Sequence, residues 1–217
     1  MTSPGKKINV LIADDHAISR HGVKLILSQA EDMAVAGEVE NGQEAVDFVK
    51  KNEQVDVLIM DIEMPGKSGW EALLELKNVM PKLPVLILSI FPEQHYGMRF
   101  LKAGADGYLS KASTPDEVIE AIRRVYRGGK FVSANLAQKM IADLNKDADK
   151  LPHETLSERE FQVFSMISSG KKLKSIAEEL SLSVNTVSTH RTRILQKMGM
   201  NSNAELIHYS LKKGLIR

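Results

Sequence analysis

The chain has 217 residues, of which 43% are hydrophobic and 26% charged, and its formal net charge is +1. The length holds one large or two modest domains, and the composition is that of ordinary globular chains, not of disordered or fibrous ones. The absence of cysteine excludes a disulfide framework and a thiolate metal site, and no apolar run is long enough to cross a bilayer.

The near-neutral total conceals a division. Residues 1–130 carry 16 Lys+Arg against 19 Asp+Glu, residues 154–217 carry 10 against 6, and the residues between carry three of each. An acidic front and a basic rear point to two domains with different partners. The strand-like Ile8-Asn9-Val10-Leu11-Ile12 begins too close to Met1 to leave room for a signal peptide. A cytoplasmic protein with no membrane partner is expected.

In chain order, Ile8–Ala13 reads as an apolar strand ending in Asp14-Asp15. His16–Gln29 reads as a helix with Ile18, Val23, Leu25, Ile26 and Leu27 on its apolar face. Met33–Val39 is a second strand, and Gln43–Lys51 a short helix after the Asn41-Gly42 turn. Val57–Ile62 is a third strand, its unbroken apolar run marking burial on both faces. Asp61 stands near its end, before the turn-rich Glu63-Met64-Pro65-Gly66. Gly69–Met80 is a helix closed by Pro81, and Val85–Ile90 a fourth strand, apolar but for Ser89. Pro92 is expected in the first turn of a helix, where its missing N–H costs nothing, and that helix runs to about Ala103. Gly107–Lys111 is a fifth strand. Thr114-Pro115-Asp116-Glu117 has the cap hydroxyl and first-turn acids of a helix start, and that helix ends near Arg127.

Strands alternating with helices predict an α/β domain over residues 1–130, a doubly wound five-stranded parallel sheet in the flavodoxin-like order 2-1-3-4-5. Residues 131–153, with a helix over Leu136–Asn145 and the polar Lys146–Lys150, read as a mobile linker. Residues 154–217 read as an all-α domain of four helices. The first follows Ser157 and ends at Gly170, and the second covers Lys174–Leu180. The third covers Val184–Met198 and the last Asn203–Lys213. The tight connection at Leu182-Ser183 makes the middle pair a helix-turn-helix unit.

A parallel sheet brings its strand ends to one edge, so Asp14, Asp15, Asp61, Ser89 and Lys111 should converge. Two carboxylates about 4 Å apart repel by about 4 kcal/mol at an effective dielectric of 20. A divalent cation removes that penalty, and hard oxygen ligands suit Mg²⁺. A metal, a carboxylate nucleophile, a hydroxyl and an ammonium together match phosphoryl transfer to Asp61. Taken singly, each residue has a plainer reading. Asp14-Asp15 is also a helix N-cap pair, Lys111 a solvated surface lysine, Ser89 a partner for a backbone group, and Tyr108 plain core.

Asp14-Asp15, Asp61 with Met64-Pro65-Gly66, Ser89 and Lys111 resemble the receiver domain of bacterial response regulators. The resemblance makes Asp61 the phosphoacceptor of a partner histidine kinase. It implies that Asp15, Asp61 and the backbone carbonyl of Glu63 bind Mg²⁺ with help from Asp14, and that Ser89 and Tyr108 form a switch pair. Ala112 departs from the proline that often follows the lysine.

In the third helix of the rear domain, Val184, Val187, Ile194 and Met198 share the expected core face. Ser188, Thr189, Arg191 and Thr192 face elsewhere, with Arg193 and Lys197 further along. Short polar side chains and cations suit a helix that enters the major groove, and they equally suit a solvated face of a small bundle. The run from Leu156-Ser157-Glu158-Arg159-Glu160 through Val184-Asn185-Thr186-Val187-Ser188-Thr189-His190 to Ile194-Leu195-Gln196-Lys197-Met198 resembles the LuxR-type DNA-binding domain. By that resemblance Ser188, Thr189 and Thr192 lie nearest the bases, and Lys174, Thr186, Arg191 and Arg193 hold phosphates. His190 reads equally as a packed histidine at the core edge. The two halves together resemble the NarL/FixJ subgroup of response regulators.

The reading is therefore a transcription factor, not a turnover enzyme. Phosphorylation of Asp61 would control its binding to promoter half-sites in double-stranded DNA as a homodimer. Asn203–Leu215, with Leu206, Ile207 and Leu211, serves either as a dimer face or as core. The rivals are a metal-dependent aspartyl-phosphate enzyme and a phosphorylation-independent regulator whose receiver only binds partners.

Overall fold

The structure is a computed structural model that describes residues 6–51, 54–144, 151–180 and 182–216. It contains two compact units, residues 1–137 and 138–217. Lys146–Lys150 of the expected linker lies outside the described residues.

In the first unit β1 (Ile8–Ala13), α1 (Ala17–Ser28), β2 (Met33–Val39), α2 (Gly42–Lys51) and β3 (Val57–Met60) are followed by α3 (Gly69–Val79), β4 (Val85–Ser89), α4 (Glu93–Lys102), β5 (Gly107–Ser110) and α5 (Pro115–Tyr126). The strands form one parallel sheet in the order β2-β1-β3-β4-β5, as the alternation predicts. Alternate strand residues feed two core layers. Val10, Ile12, Val57, Ile59, Leu86 and Leu88 share one cluster with residues of α1 and α5. Residues of opposite parity, such as Met60 and Tyr108, are equally buried; the Tyr108 ring meets Phe100 of α4 at 6.2 Å. This two-sided burial is why the strands carry continuous apolar runs.

Register sets the working edge. Ala13 pairs with Met60, Met60 with Ile87, and Ser89 with Ser110. The residues that follow these strands therefore share one rim. Three strands stop short of the predicted ends, β3 at Met60, β4 at Ser89 and β5 at Ser110. The first and last of these retain one further ladder bond: Asp61 N–H donates to the Ala13 carbonyl and Lys111 N–H to the Ser89 carbonyl, both at 2.8 Å. Pro92 is the N-cap of α4, with ψ of 126°, one position before its expected place in the first turn.

Three helices open on a capping box, in which a hydroxyl and a glutamate three residues later satisfy each other's backbone N–H groups. Ser68/Glu71 caps α3 and Thr114/Glu117 caps α5; Ser157/Glu160 caps the first helix of the second unit. Beyond α5, Phe131 N–H donates to the Asp106 carbonyl at 2.9 Å and Tyr108 N–H to the Phe131 carbonyl at 3.1 Å. Phe131 thus covers the outer edge of β5. Helix α6 (Ala134–Leu144) begins two residues before its predicted start because the Ser133 hydroxyl accepts the Leu136 N–H at 3.1 Å.

The second unit has a short 3-10 turn (Pro152–Thr155), then α7 (Glu158–Ser168), α8 (Leu173–Glu179), α9 (Val184–Met198) and α10 (Asn203–Lys212). Among the described residues it contains no strand. Phe164, Ile176, Val187, Ile194 and Leu206 are fully enclosed in its core. Val184 was expected in that core but is 46% exposed; it is the first residue of α9, ahead of the packed turn. Gly199 closes α9 with φ of 64°, a left-handed conformation that a side chain would strain.

Glu160 is a buried charge of this unit, only 4% exposed. It accepts the Ser157 N–H at 2.8 Å and the Lys197 ammonium at 2.6 Å. Burial pushes its carboxyl up, but the Lys197 and Ser157 bonds outweigh burial and leave it below the ordinary glutamate value. A depressed acid contributes stability that is complete above its unfolded value and is lost as pH falls through its folded value. Glu160→Gln should therefore destabilise the second unit by about 1–3 kcal/mol at neutral pH. The difference from wild type should shrink on acidification, as read by amide exchange of α7 and α9 across pH.

Candidate functional site

The rim of the first unit gathers the predicted acids. Asp14 follows β1 and Asp61 follows β3, and they are only 3% and 6% exposed. Lys111, following β5, places its ammonium 2.7 Å from a carboxylate oxygen of each. Asp14 also accepts Ser19 Oγ–H at 2.5 Å and His16 N–H at 2.8 Å. Asp61 accepts the Ile62 N–H at 2.7 Å. The predicted helix-cap role of Asp14-Asp15 is not what forms, since the N-cap of α1 is His16.

The two buried carboxyls respond differently. Burial pushes Asp14 up, yet the bonds from Lys111, Ser19 and His16 together hold it below the usual range. Burial pushes Asp61 up too, and the ammonium of Lys111 only partly offsets it, with nearby Asp14 adding to the rise. Burial disfavours the Lys111 cation, but its two carboxylate partners outweigh that and raise it. Asp61 is therefore the carboxylate whose negative charge is least well compensated.

Asp15 lies further out and pairs with His16, Nδ1 to Oδ1 at 2.8 Å. Ligand atoms of Asp14, Asp15, His16 and Asp61 all lie within 4.8 Å of one another. Carboxylate oxygens at that spacing, on one open rim, fit a hard divalent cation. A cavity of about 420 Å³ opens beside them, lined by Asp61, Glu63, Lys111 and Ser110 among others. Glu63 thus belongs to the same rim.

Ser89 and Tyr108 lie behind the acids, 0% and 1% exposed. Ser89 Oγ accepts the Phe91 N–H at 3.2 Å, and Tyr108 donates its hydroxyl to the Phe91 carbonyl at 3.0 Å. Burial, first of all, raises the Tyr108 hydroxyl above its ordinary value, which favours its role as a donor.

Three contributors were not evident beforehand. Arg20 donates to the Asp14 carbonyl at 2.7 Å and to Glu40 at 2.6 Å, fixing the loop that carries the acid pair. Ser19 shares Asp14 with Lys111. Gly69 is there because a Cβ would sit 2.0 Å from the Asp61 carbonyl oxygen; only glycine lets α3 approach the acceptor loop so closely. The only local signal was a serine and a glycine at a helix start.

In the second unit, Lys174, Thr186, Ser188, Thr189, Thr192 and Arg193 are exposed, and Arg191 is half-buried. Arg191 Nε donates to Asn203 at 2.6 Å. Thr189 and Thr192 donate their hydroxyls to the Asn185 and Ser188 carbonyls of their own helix, at 3.0 and 3.1 Å. Lys197, expected among the free cations, instead holds Glu160. His190 is half-buried and its enclosed Nδ1 has no hydrogen-bond partner among the described residues. Burial, then the adjacent Arg159, lowers its basicity. Leu206 is entirely core, whereas Leu211 on α10 is 55% exposed.

Comparison with known proteins agrees with both halves. The response regulator receiver domain matches residues 10–123, and the luxR family of bacterial regulatory proteins matches residues 154–210. The response regulator UvrY of Escherichia coli K12 is 37% identical over 209 residues, covering 96% of this chain and 95% of the relative. The oxygen regulatory protein NreC of Staphylococcus carnosus is 37% identical over 216 residues, covering 96% and 99%. A solved structure of RcsB from Salmonella enterica serovar Typhimurium, bound to a promoter in the presence of phosphomimetic BeF3⁻, is 25% identical. Its TM-score is 0.73, with 94% of this chain and 98% of that one covered.

A rim of acids and a lysine on a 2-1-3-4-5 sheet, joined to a helix-turn-helix domain, defines a response regulator, and the chain belongs to that family. Within it, the LuxR-type domain and the relatives UvrY and NreC make it a transcription regulator of the NarL/FixJ subgroup, not a turnover enzyme.

The raised Asp61 carboxyl carries a stability consequence. An acid whose folded value is raised binds its proton more tightly in the native state, so stability falls as pH rises from the ordinary value to the folded one and the full penalty holds above that. Asp61→Asn should therefore stabilise the first unit at neutral pH by about 1 kcal/mol, the scale of penalties held at functional sites. The gain should vanish as pH falls below the ordinary aspartate value, as followed by urea denaturation of wild type and variant.

Proposed function

We propose that Asp61 is the phosphoacceptor of a partner histidine kinase, and that its phosphorylation controls the DNA affinity of the rear domain. The observation that carries this is the Lys111 ammonium, 2.7 Å from both Asp14 and Asp61. It is positioned to offset charge on a phosphoryl group attached to Asp61, and Ser89 is the hydroxyl behind the site that would donate to a phosphoryl oxygen. Asp14, Asp15, Asp61 and the Glu63 carbonyl would hold Mg²⁺, which supplies positive charge against the phosphoryl oxygens. Tyr108 shares the Phe91 backbone with Ser89 and is the second member of the switch.

Residues 1–130 form the receiver in this reading, 131–153 the linker and 154–217 the DNA-binding domain. Ser188, Thr189 and Thr192 approach the bases of promoter half-sites in double-stranded DNA. Lys174, Thr186, Arg191 and Arg193 hold phosphates. The exposure of six of these seven residues supports that assignment, as does the promoter-bound state of the RcsB relative. Homodimerisation on DNA is supported by exposed Leu211 and by the two-fold logic of half-sites. Among the described residues no helix is long and apolar enough to cross a membrane. The DNA-binding role supports a cytoplasmic location.

Labelled acetyl phosphate with Mg²⁺ tests the acceptor. Wild type should take close to one phosphoryl group, and Asp61→Asn none. A wild type that takes no label, yet binds its operator, would favour the receiver that only binds partners. Phosphorylated wild type should bind a selected operator at least about fivefold more tightly than the unmodified chain at matched salt. Lys174→Ala and Arg193→Ala should each weaken binding to all sequences alike and reduce the salt slope by about one, measured by anisotropy from low to moderate salt.

A further inference from the structure

We infer that residues 131–136 are a latch, held on β5 and α4 and released when Ser89 is drawn toward a phosphoryl group on Asp61; this rests on the acceptor reading above. Three ties hold the segment. Phe131 exchanges backbone bonds with the β5 edge, accepting from Tyr108 N–H at 3.1 Å and donating to the Asp106 carbonyl at 2.9 Å. Ser133 N–H donates to the Glu93 carboxylate in the first turn of α4, at 3.0 Å. Leu136 is fully enclosed and occupies the space left by the missing side chain of Gly97. A Cβ on Gly97 would lie 2.7 Å from Leu136 Cδ2 and 3.7 Å from Tyr108 Cγ.

All three ties lead back to one turn. Ser89 Oγ accepts the Phe91 N–H, and the Phe91 carbonyl accepts the Tyr108 hydroxyl. Glu93 is two residues beyond Phe91. Tyr108 therefore holds the segment by its backbone, abuts the Leu136 site with its ring, and is anchored by its hydroxyl to the turn that Ser89 secures. When Ser89 Oγ turns toward Asp61, Phe91 loses its acceptor, and the positions of Glu93 and Tyr108 change together. A half-buried N–H that loses its partner favours a rearrangement that supplies another. The hydrogen bonds on Phe131 and Ser133 are each within the reach of an ordinary coupling free energy, and Leu136 is the strongest of the three ties. Gly97 is the telling residue: it is neither a turn nor a cap, and alanine would favour its helix.

Amide exchange by mass spectrometry on the full chain tests this, with phosphoryl incorporation read from intact mass. Labelling with acetyl phosphate and Mg²⁺ should raise exchange over 131–136 at least about fivefold. Gly97→Ala, whose Cβ would meet both Leu136 Cδ2 at 2.7 Å and Glu93 Cγ at 2.9 Å, and Leu136→Ala, which removes the docked side chain alone, should both raise it in the unphosphorylated protein. Labelled wild type with unchanged exchange overturns the latch and leaves the acceptor reading standing. A chain that takes no label overturns both. Unchanged exchange in both variants overturns the docking of Leu136 as its basis.

Discussion

A single ammonium shared by two buried carboxylates is the constraint on which the first unit depends. Asp14 and Asp61 are each almost fully enclosed. Their mutual repulsion would favour protonation or separation without a cation between them. Lys111 can stand there only because β1, β3 and β5 end together and β4 spaces the last two. Sheet order, strand register and the lengths of three strands must therefore all agree for that one electrostatic requirement at the rim to be met. The same crowding leaves Asp61 undercompensated, a state consistent with an acid whose charge is meant to change.

The second unit meets a related problem differently. Glu160 is buried beneath α9, and its partner Lys197 comes from the helix that carries the exposed polar face. One cation is withdrawn from that face to hold the helix on its bundle. What remains outward is short and hydroxylic, with Arg193 further along. Positive charge for phosphates must then come from several elements, Lys174 of α8 among them.

Most of this architecture was legible in the sequence because it rests on periodicity. Unbroken runs such as Val57–Met60 mark strands buried on both faces, and Thr114-Pro115-Asp116-Glu117 marks a helix start without reference to anything distant. The acids and Lys111 could be located once the alternation implied a parallel sheet. What escaped depends on contacts between segments far apart in sequence. Gly69 looks like any glycine at a helix start until α3 is seen against the Asp61 carbonyl. Lys197 looks like a free cation until Glu160, 37 residues earlier, is placed beneath it. Val184 has a core residue's chemistry but stands at the open first turn of α9. Strand ends were over-extended by one or two residues: Asp61 and Lys111 still donate one backbone bond to a neighbouring strand, and apolar Ile62 and Ile90 carry no sign that the ladder has stopped.

The two margins of the sheet are guarded unequally. On β2, Gly37 pairs with Leu11 after a register break that leaves Ala36 unmatched, and Glu38 sets a charge on the border beside Lys24. A bulge and a charge both discourage a foreign strand from adding. On β5 the guard is Phe131, whose backbone pairs with the strand and whose side chain packs on the core cluster. Any state of the chain in which Phe131 leaves its place bares donors and acceptors ready for self-association. The concentration of such molecules in a cell, and the time each spends uncovered, then bear on aggregation as well as on signalling.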